Sequence, residues 1–404
     1  MTIKGQSNYK SIIKNALNEM QTINKWQYYF IVEIIGLFLS IKGRVNFLQL
    51  GRFGRHNEQH YRAQFSKNFN FLEFNINLVN QNSSKHNIIA FDPSYISKSG
   101  KSTYGIGNYW SGVAGQSKHG LEISGIAAVD ISNHTAFHLE SIQTPNNLNK
   151  GELLEHYTKI LIERKNELQL VSKIVVADAY FSKEPFVNQL CQNSFNVISR
   201  FRKDVRLQYV FIGTQKTGKG RPRKFQGKVN KNNLDSNHFN LVQENDMQQI
   251  YHAVVHATAL KRLVGLVIVR TKRKSKWVQN LYFSTDVNLE PHLILQYYKA
   301  RFQIEFIYRD AKQFTGLHQC QARSKNKLYF HHNMSLTSVN IAKYTHWISI
   351  PKDERKEFSL SSIKTMYHNE LLLNRFISTF GISPNKQKNK RKINELLRFG
   401  VIAA

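Results

Sequence analysis

Between residues 86 and 201 short apolar runs alternate with amphipathic stretches, and that order limits the available folds more than any other feature of the chain. His86–Phe91 is an apolar run ending in Asp92 and Pro93. Leu121–Val129 and His134–Ile142 follow as strands, joined by a turn around residues 130–133. Leu148–Leu168 carries the 3.6-residue period of an amphipathic helix. Lys173–Ala177 reads as a buried strand ending at Asp178, Lys183–Gln192 as a helix and Phe195–Phe201 as a further strand. The resulting order βββαβαβ predicts an α/β fold.

The rhythm stops near residue 204. Arg206–Ile212, Gln249–Thr258, Leu263–Arg270 and Trp277–Ser284 are β-rich and separated by basic and polar loops, which reads as a β-strand insertion over 204–285. Both ends of the chain read as helical: residues 8–80 contain no proline, and helical patterning returns beyond Pro291 and ends in a basic tail at Lys386–Lys392. Within Ser40–Asn70 two helices are expected, broken near Gly54–Asn57, with Asn57 capping Glu58–Phe69. Either a helix-turn-helix, with Gln59, Arg62 and Gln64 facing a groove, or an ordinary helical hairpin would satisfy that pattern.

Charge narrows the partner. The 404 residues carry 57 Lys plus Arg against 27 Asp plus Glu, a formal +30, so a polyanion is expected. The most apolar run, Tyr28–Ile41, includes Glu33 and falls short of the roughly 20 residues of a membrane span, which favours nucleic acid over a membrane. The N-terminal residues are polar and basic with no secretory signal, and two cysteines, Cys191 and Cys320, fit a reducing cytosol. The excess is uneven. Residues 86–199 hold nine basic and ten acidic residues, whereas residues 200–280 hold 18 and four.

Several motifs dissolve on inspection. Gly213–Gly220 approaches a phosphate-binding loop, but Gly220 stands where Ser or Thr is needed and Pro222 interrupts the helix start. The run that follows, with Arg221, Arg223 and Lys224, suits a loop lying on DNA backbone or in a minor groove, or else a solvated loop. Gly105–Gly107 lacks the third glycine of a dinucleotide fingerprint, and no zinc spacing is present. Carboxylates are scarce, so the two at strand ends, Asp92 and Asp178, stand out: each alone suits a turn, but together on neighbouring strands they suit a hard cation.

The strongest signal is Tyr298, Arg301, Glu305 and Lys312. At about 100° per residue the four fall within roughly 60° on one helical face. An i,i+4 ion pair explains Arg301 and Glu305 alone; it does not explain a phenol and a second cation on the same stripe. Asp310 projects about 140° away from Glu305 and is rejected as its equivalent.

Y-x2-R-x3-E-x6-K resembles the signature of DDE transposases of the YREK insertion-sequence group. IAFDPSYI around Asp92, VVADAYFS around Asp178, FSTD at 283–286 and GLHQCQARS at 316–324 match the same group, as does a basic β insertion between the second Asp and the Glu. The likeness covers about residues 86–345. Phe302 departs from it, since many relatives carry Trp after the motif Arg.

The resemblance implies a ribonuclease H-like core, a mixed sheet flanked by helices, over 86–203 and 286–324, interrupted by the insertion at 204–285. A helical DNA-binding region over 1–85 and a helical C-terminal region over 325–404, with a basic tail and a candidate dimer face, would complete the chain. It implies that Asp92, Asp178 and Glu305 are catalytic and bind two Mg²⁺, for which Mn²⁺ can substitute, in an in-line phosphoryl transfer. Tyr298, Arg301 and Lys312 would grip phosphates, and Trp277 is the candidate to stack on a flipped base. The implied activity is Mg²⁺-dependent cleavage and strand transfer at transposon ends in the bacterial cytoplasm, at the nucleoid. Its substrates would be terminal inverted repeats and target DNA, held by a homodimer without a membrane. Alternatives are a catalytically silent DNA-binding derivative and a nuclease without strand transfer.

Overall fold

The computed structural model describes residues 7–149, 151–215, 218, 220–274, 276–349 and 357–402. Five helices come first: α1 (Ser7–Asn18), α2 (Lys25–Ser40), α3 (Phe47–Phe53), α4 (Glu58–Gln64) and α5 (Phe71–Asn82). Asparagines start four of them, because a short side-chain amide oxygen can take an otherwise unpaired backbone N–H of the first turn. Asn57 does so for α4, accepting the His60 N–H at 3.0 Å as expected. Of the groove-facing candidates, Gln59 is exposed and Arg62 is turned back onto its own helix. The helix α4 has seven residues, Tyr61 is buried, and Arg62 is folded back onto Glu58 (2.8 Å) and over the Phe47 ring at 4.7 Å.

A mixed sheet follows, built from β1 (Asn87–Ser97), β2 (Gly107–Ser111), β3 (Gln116–Asp130), β4 (Thr135–Gln143), β5 (Ile174–Val176) and β6 (Asn196–Phe201). Helices α6 (Glu152–Glu163), α7 (Lys165–Gln169) and α8 (Glu184–Gln192) connect the last three strands. β1, β3 and β4 form an antiparallel meander, and β5 and β6 run parallel to β1. This mixed α/β arrangement is consistent with the ribonuclease H-like expectation.

The basic segment contributes β7 (Leu207–Val210), β8 (Phe225–Lys228), β9 (Asn240–Asn245), β10 (Gln248–Ala257), β11 (Arg262–Arg273) and β12 (Lys276–Ser284). These strands continue the same sheet, because β12 pairs antiparallel with β6; the order is β2-β3-β1-β5-β6-β12-β11-β10-β7-β8, with β4 on β3 and β9 on β10. Polar strands β2, β8 and β9 were not expected. All of β9 is exposed, so it shows no apolar alternation to read.

The chain closes with α9 (Pro291–Ala300), α10 (Gln303–Phe314), α11 (Lys325–Ser349), α12 (Leu360–Thr379) and α13 (Gln387–Leu397), the last carrying the basic tail. Helix α11 is buried on nearly every side from Leu328 to Tyr344. Its polar residues are therefore bonded inward: Asn333 to the Ser141 carbonyl (2.9 Å), Asn340 to Asn75 (3.0 Å) and Lys343 to the Ala136 carbonyl (2.8 Å). Among the described residues no helix is long and apolar enough to cross a membrane.

Candidate active site

Asp92 lies inside a strand, not at its end. β1 pairs with β3 along its whole length, Asp92 opposite Gly125, whereas its parallel pairing with β5 covers only Ile89 and Ala90. From Phe91 onward one side of β1 has no partner strand, which is where a strand proline such as Pro93 is tolerated. The Asp-Pro step that reads as a strand end is thus the point where β1 outruns β5.

Asp178 follows β5 and begins a 3-10 turn over Ala179–Phe181, with one carboxylate oxygen accepting the Tyr180 N–H at 2.8 Å. Its carbonyl accepts from the Ser199 hydroxyl at 2.7 Å on β6. One aromatic cluster fixes both acidic positions from below. Phe91, next to Asp92, packs on Phe181 at 5.3 Å and on Tyr157 at 5.9 Å, and the Tyr157 hydroxyl donates to buried Glu122 at 2.6 Å.

Glu305 comes from the other layer. The four-residue stripe, read as one continuous helix, is divided between α9 and α10 at Arg301–Phe302. There the backbone tightens to i→i−3 bonds, Phe302 to Lys299, Ile304 to Arg301 and Glu305 to Phe302. Both junction residues keep right-handed helical angles, so the stripe turns the corner largely intact.

Arg301 occupies the middle of the site. It is nearly buried and reaches Asp92 at 3.3 Å and Glu305 at 3.4 Å, both long for charge-assisted bonds, while its Nε is buried with no hydrogen-bond partner among the described residues. Burial raises the Asp92 carboxyl to about 7; Arg301 opposes that rise, and the charges of Asp178, Glu305 and Glu122 add to it. Asp92 therefore feels the charge of both other carboxylates. Among the described residues no three His, Cys, Asp or Glu side chains converge closely enough to hold a metal ion, and the guanidinium stands between two of the three.

Lys312 donates to the Ser94 hydroxyl at 3.0 Å, two residues beyond Asp92; burial lowers its pKa and Asp92 opposes this. Tyr298 is half-buried against the Tyr282 ring at 4.8 Å, and burial raises its hydroxyl, with Arg200, Arg301 and Asp178 among the charges acting on it. The structure thus gathers Asp92, Asp178, Tyr298, Arg301, Glu305 and Lys312. Asp310 is buried and pairs with Arg309 at 3.0 Å.

The insertion residues lie elsewhere. Trp277 is exposed opposite Lys272 near the β11–β12 turn, five residues along the strand from Tyr282, or about 17 Å at 3.4 Å per residue. Arg221, Arg223 and Lys224 sit in the β7–β8 connection. Arg223 is tied down: its carbonyl and N–H bond Gln215 at 2.8 and 3.0 Å, and its guanidinium covers Phe211 at 5.2 Å. Positions 216, 217 and 219 of the glycine-rich stretch lie outside the described residues.

Tyr308 escaped the sequence reading. Its hydroxyl donates to the Asp92 carbonyl at 2.5 Å and occupies the space over Gly125, where an added Cβ would lie 2.0 Å from it. Tyr308 is one turn past Glu305, so helical spacing places it near the same face, but nothing local shows that it reaches β1. Gly125 is the matching signal: a glycine inside an apolar strand marks close approach by another group.

The donor set suits a hard divalent cation: carboxylate oxygens, one of them raised by burial to about 7, with a side-chain cation already balancing their charge. No curated protein matches the chain. Residues 83–341, well over half its length, match the model of the family described as Transposase DDE domain, which spans β1 to α11 and includes the whole site. By that match the chain belongs to the Transposase DDE domain family, whose members act on DNA and generally use divalent metals.

Proposed function

We propose that this chain is a cut-and-paste transposase of the YREK group, with Asp92, Asp178 and Glu305 as its metal-binding triad. The observation that carries this reading is the pairing of two carboxylates from separate elements, Asp92 and Glu305, with one nearly buried guanidinium, while the charge of Asp178 acts on Asp92, whose carboxyl burial raises to about 7. When bound, two Mg²⁺ ions, or Mn²⁺, supply the charge that activates the attacking oxygen and stabilises the leaving one.

The protein's own groups set the geometry. The Phe91–Phe181 contact and the Tyr308 bond hold Asp92 in place, while the Asp178 turn holds the second carboxylate. Arg301, with an unpaired Nε and two long contacts, is suited to take a phosphate oxygen once the carboxylates are neutralised. Lys312 and Tyr298 flank it. Beside Asp178 a cleft of about 230 Å³ is lined by Arg200, Arg202 and Lys203, and it offers a backbone track leading to the insertion. The division into a helical N-terminal region, a split core, a basic insertion and a C-terminal region belongs to the same proposal. So do a homodimer on terminal inverted repeats and a place in the bacterial cytoplasm.

The test is incubation with duplexes carrying the element's terminal inverted repeats, target DNA and Mg²⁺. Nicking followed by a joined product is expected, with Asp92→Asn and Glu305→Gln binding but not cutting. Binding without cleavage in Mg²⁺ or Mn²⁺ would contradict the catalytic reading, and cleavage without joining would reduce it to a nuclease.

A further inference from the structure

We propose that the cleft between the β1–β2 loop and residues 321–323 is a phosphodiester site, holding DNA backbone on the side of the carboxylates opposite the basic insertion. The inference rests on the DNA-acting function proposed above and adds a contact surface to it.

The cleft measures about 320 Å³ and is lined by Lys98, Lys101 and Arg323, together with Ser102, Thr103 and Gln321; no carboxylate lines it. Lys98 is half-buried and donates through Nζ to the Cys320 carbonyl. Burial lowers its pKa, Cys320 opposes that fall and the Arg323 charge adds to it. Like charges are therefore held together in a partly desolvated place, and no ion pair to Lys98, Lys101 or Arg323 occurs among the described residues. A bound anion would supply the missing countercharge.

The two walls are built rather than incidental. The Tyr104 N–H donates to the Arg323 carbonyl at 2.9 Å, and Lys325 lies over the Tyr104 ring at 5.7 Å. Gln143 bonds the Tyr104 carbonyl at 2.6 Å, and Gly105 has φ +68° with no room for a Cβ beneath that amide. The loop is thus fixed to β4 on one side and to the segment before α11 on the other.

Position and chemistry select the ligand. β1 carries Asp92, and Lys98 follows six residues later, about 20 Å along an extended chain. At 3.4 Å of rise per nucleotide, that places the cleft about six base steps from the scissile position. The strand order puts β2 beyond β3 and β1, and the insertion beyond β6, so the cleft and the insertion lie on opposite flanks of the carboxylates. Cations and hydroxyls without an aromatic wall suit a phosphate group and carry no base readout.

The test uses the full chain, without divalent cation, binding a random-sequence duplex by fluorescence anisotropy over a salt series. For a Lys101→Gln/Arg323→Gln double variant, both exposed positions, the slope of log K against log salt should fall by about 1 to 2 with the melting temperature unchanged. Inorganic phosphate should raise the melting temperature of the wild type and not that of the double variant. An unchanged salt slope in the folded variant would overturn the proposal, whether or not inorganic phosphate still binds; phosphate binding alone would mark a free-anion site. Because no cleavage is measured, an inactive chain with the expected slope change would sink the catalytic reading and leave this site standing.

Discussion

Residues 86–199 place several polar groups, among them Glu122, Asp130, His138 and Glu140, in buried contacts, whereas residues 200–280 place most of their 18 basic side chains on exposed strands and loops. In the first region Asp92 is held by Arg301 and Tyr308, 209 and 216 positions away, and by the cluster around its neighbour Phe91. In the second, Arg221 and Lys224 are exposed in the β7–β8 connection, and β9 exposes every residue. Chemistry at one bond needs atoms fixed to a fraction of an ångström, whereas affinity for a charged backbone needs only the sum of many cations. Single substitutions should therefore act steeply in the core and shallowly in the insertion.

The largest effect is expected at the carboxylates. Asp92→Asn, Asp178→Asn or Glu305→Gln should each lower the cleavage rate by at least about 10³-fold, with duplex affinity measured alongside and little changed. Next comes the close contact that positions Asp92. Gly125→Ala drives a Cβ onto the Tyr308 hydroxyl and should cost about 2–4 kcal/mol in denaturant unfolding. Tyr308→Phe should keep the fold while slowing cleavage, and the double variant should recover part of the Gly125→Ala loss, because the clashing oxygen is gone.

The pH dependence follows from the raised Asp92 carboxyl. A folded-state value of about 7, above the ordinary 3.8, means that the folded chain binds this proton more tightly than the unfolded one. The stability it contributes is fully present below about pH 4 and is lost as pH rises through about 7. Metal-free Asp92→Asn should then be more stable than wild type at pH 8, by about 2–4 kcal/mol, with the difference vanishing below pH 4. Equal stabilities at pH 8 would contradict it. The smallest effect is expected in the insertion: Arg221→Gln or Lys224→Gln should shift the salt slope of duplex binding by about 1 or less and leave cleavage at saturating DNA unaltered.

Much of this contrast was legible in the sequence because it rests on local patterns. The strands β1, β3, β4, β5 and β6 are apolar runs of ordinary length, and the Asn57 cap is a one-turn motif. The asymmetry of charge is likewise a property of the sequence alone. What stayed hidden is long-range. The Tyr308–Asp92 bond joins residues 216 positions apart, and β1 continues past Asp92 only because β3 pairs with it there. The break at Arg301–Phe302 was also hidden, since no proline or glycine marks it. In the N-terminal region the contacts of Arg62 with Glu58 and with the Phe47 ring were hidden as well, since only packing reveals them.

The central claim is that Asp92, Asp178 and Glu305 form one cation site that Arg301 balances in the metal-free chain. Calorimetric titration of the full chain with Mn²⁺ at pH 7.5 tests it directly. Saturable binding by wild type is predicted, lost in Asp92→Asn and in Glu305→Gln, and tightened in Arg301→Met, where the competing side-chain cation is gone. Equal Mn²⁺ affinity in wild type and all three variants would contradict the account.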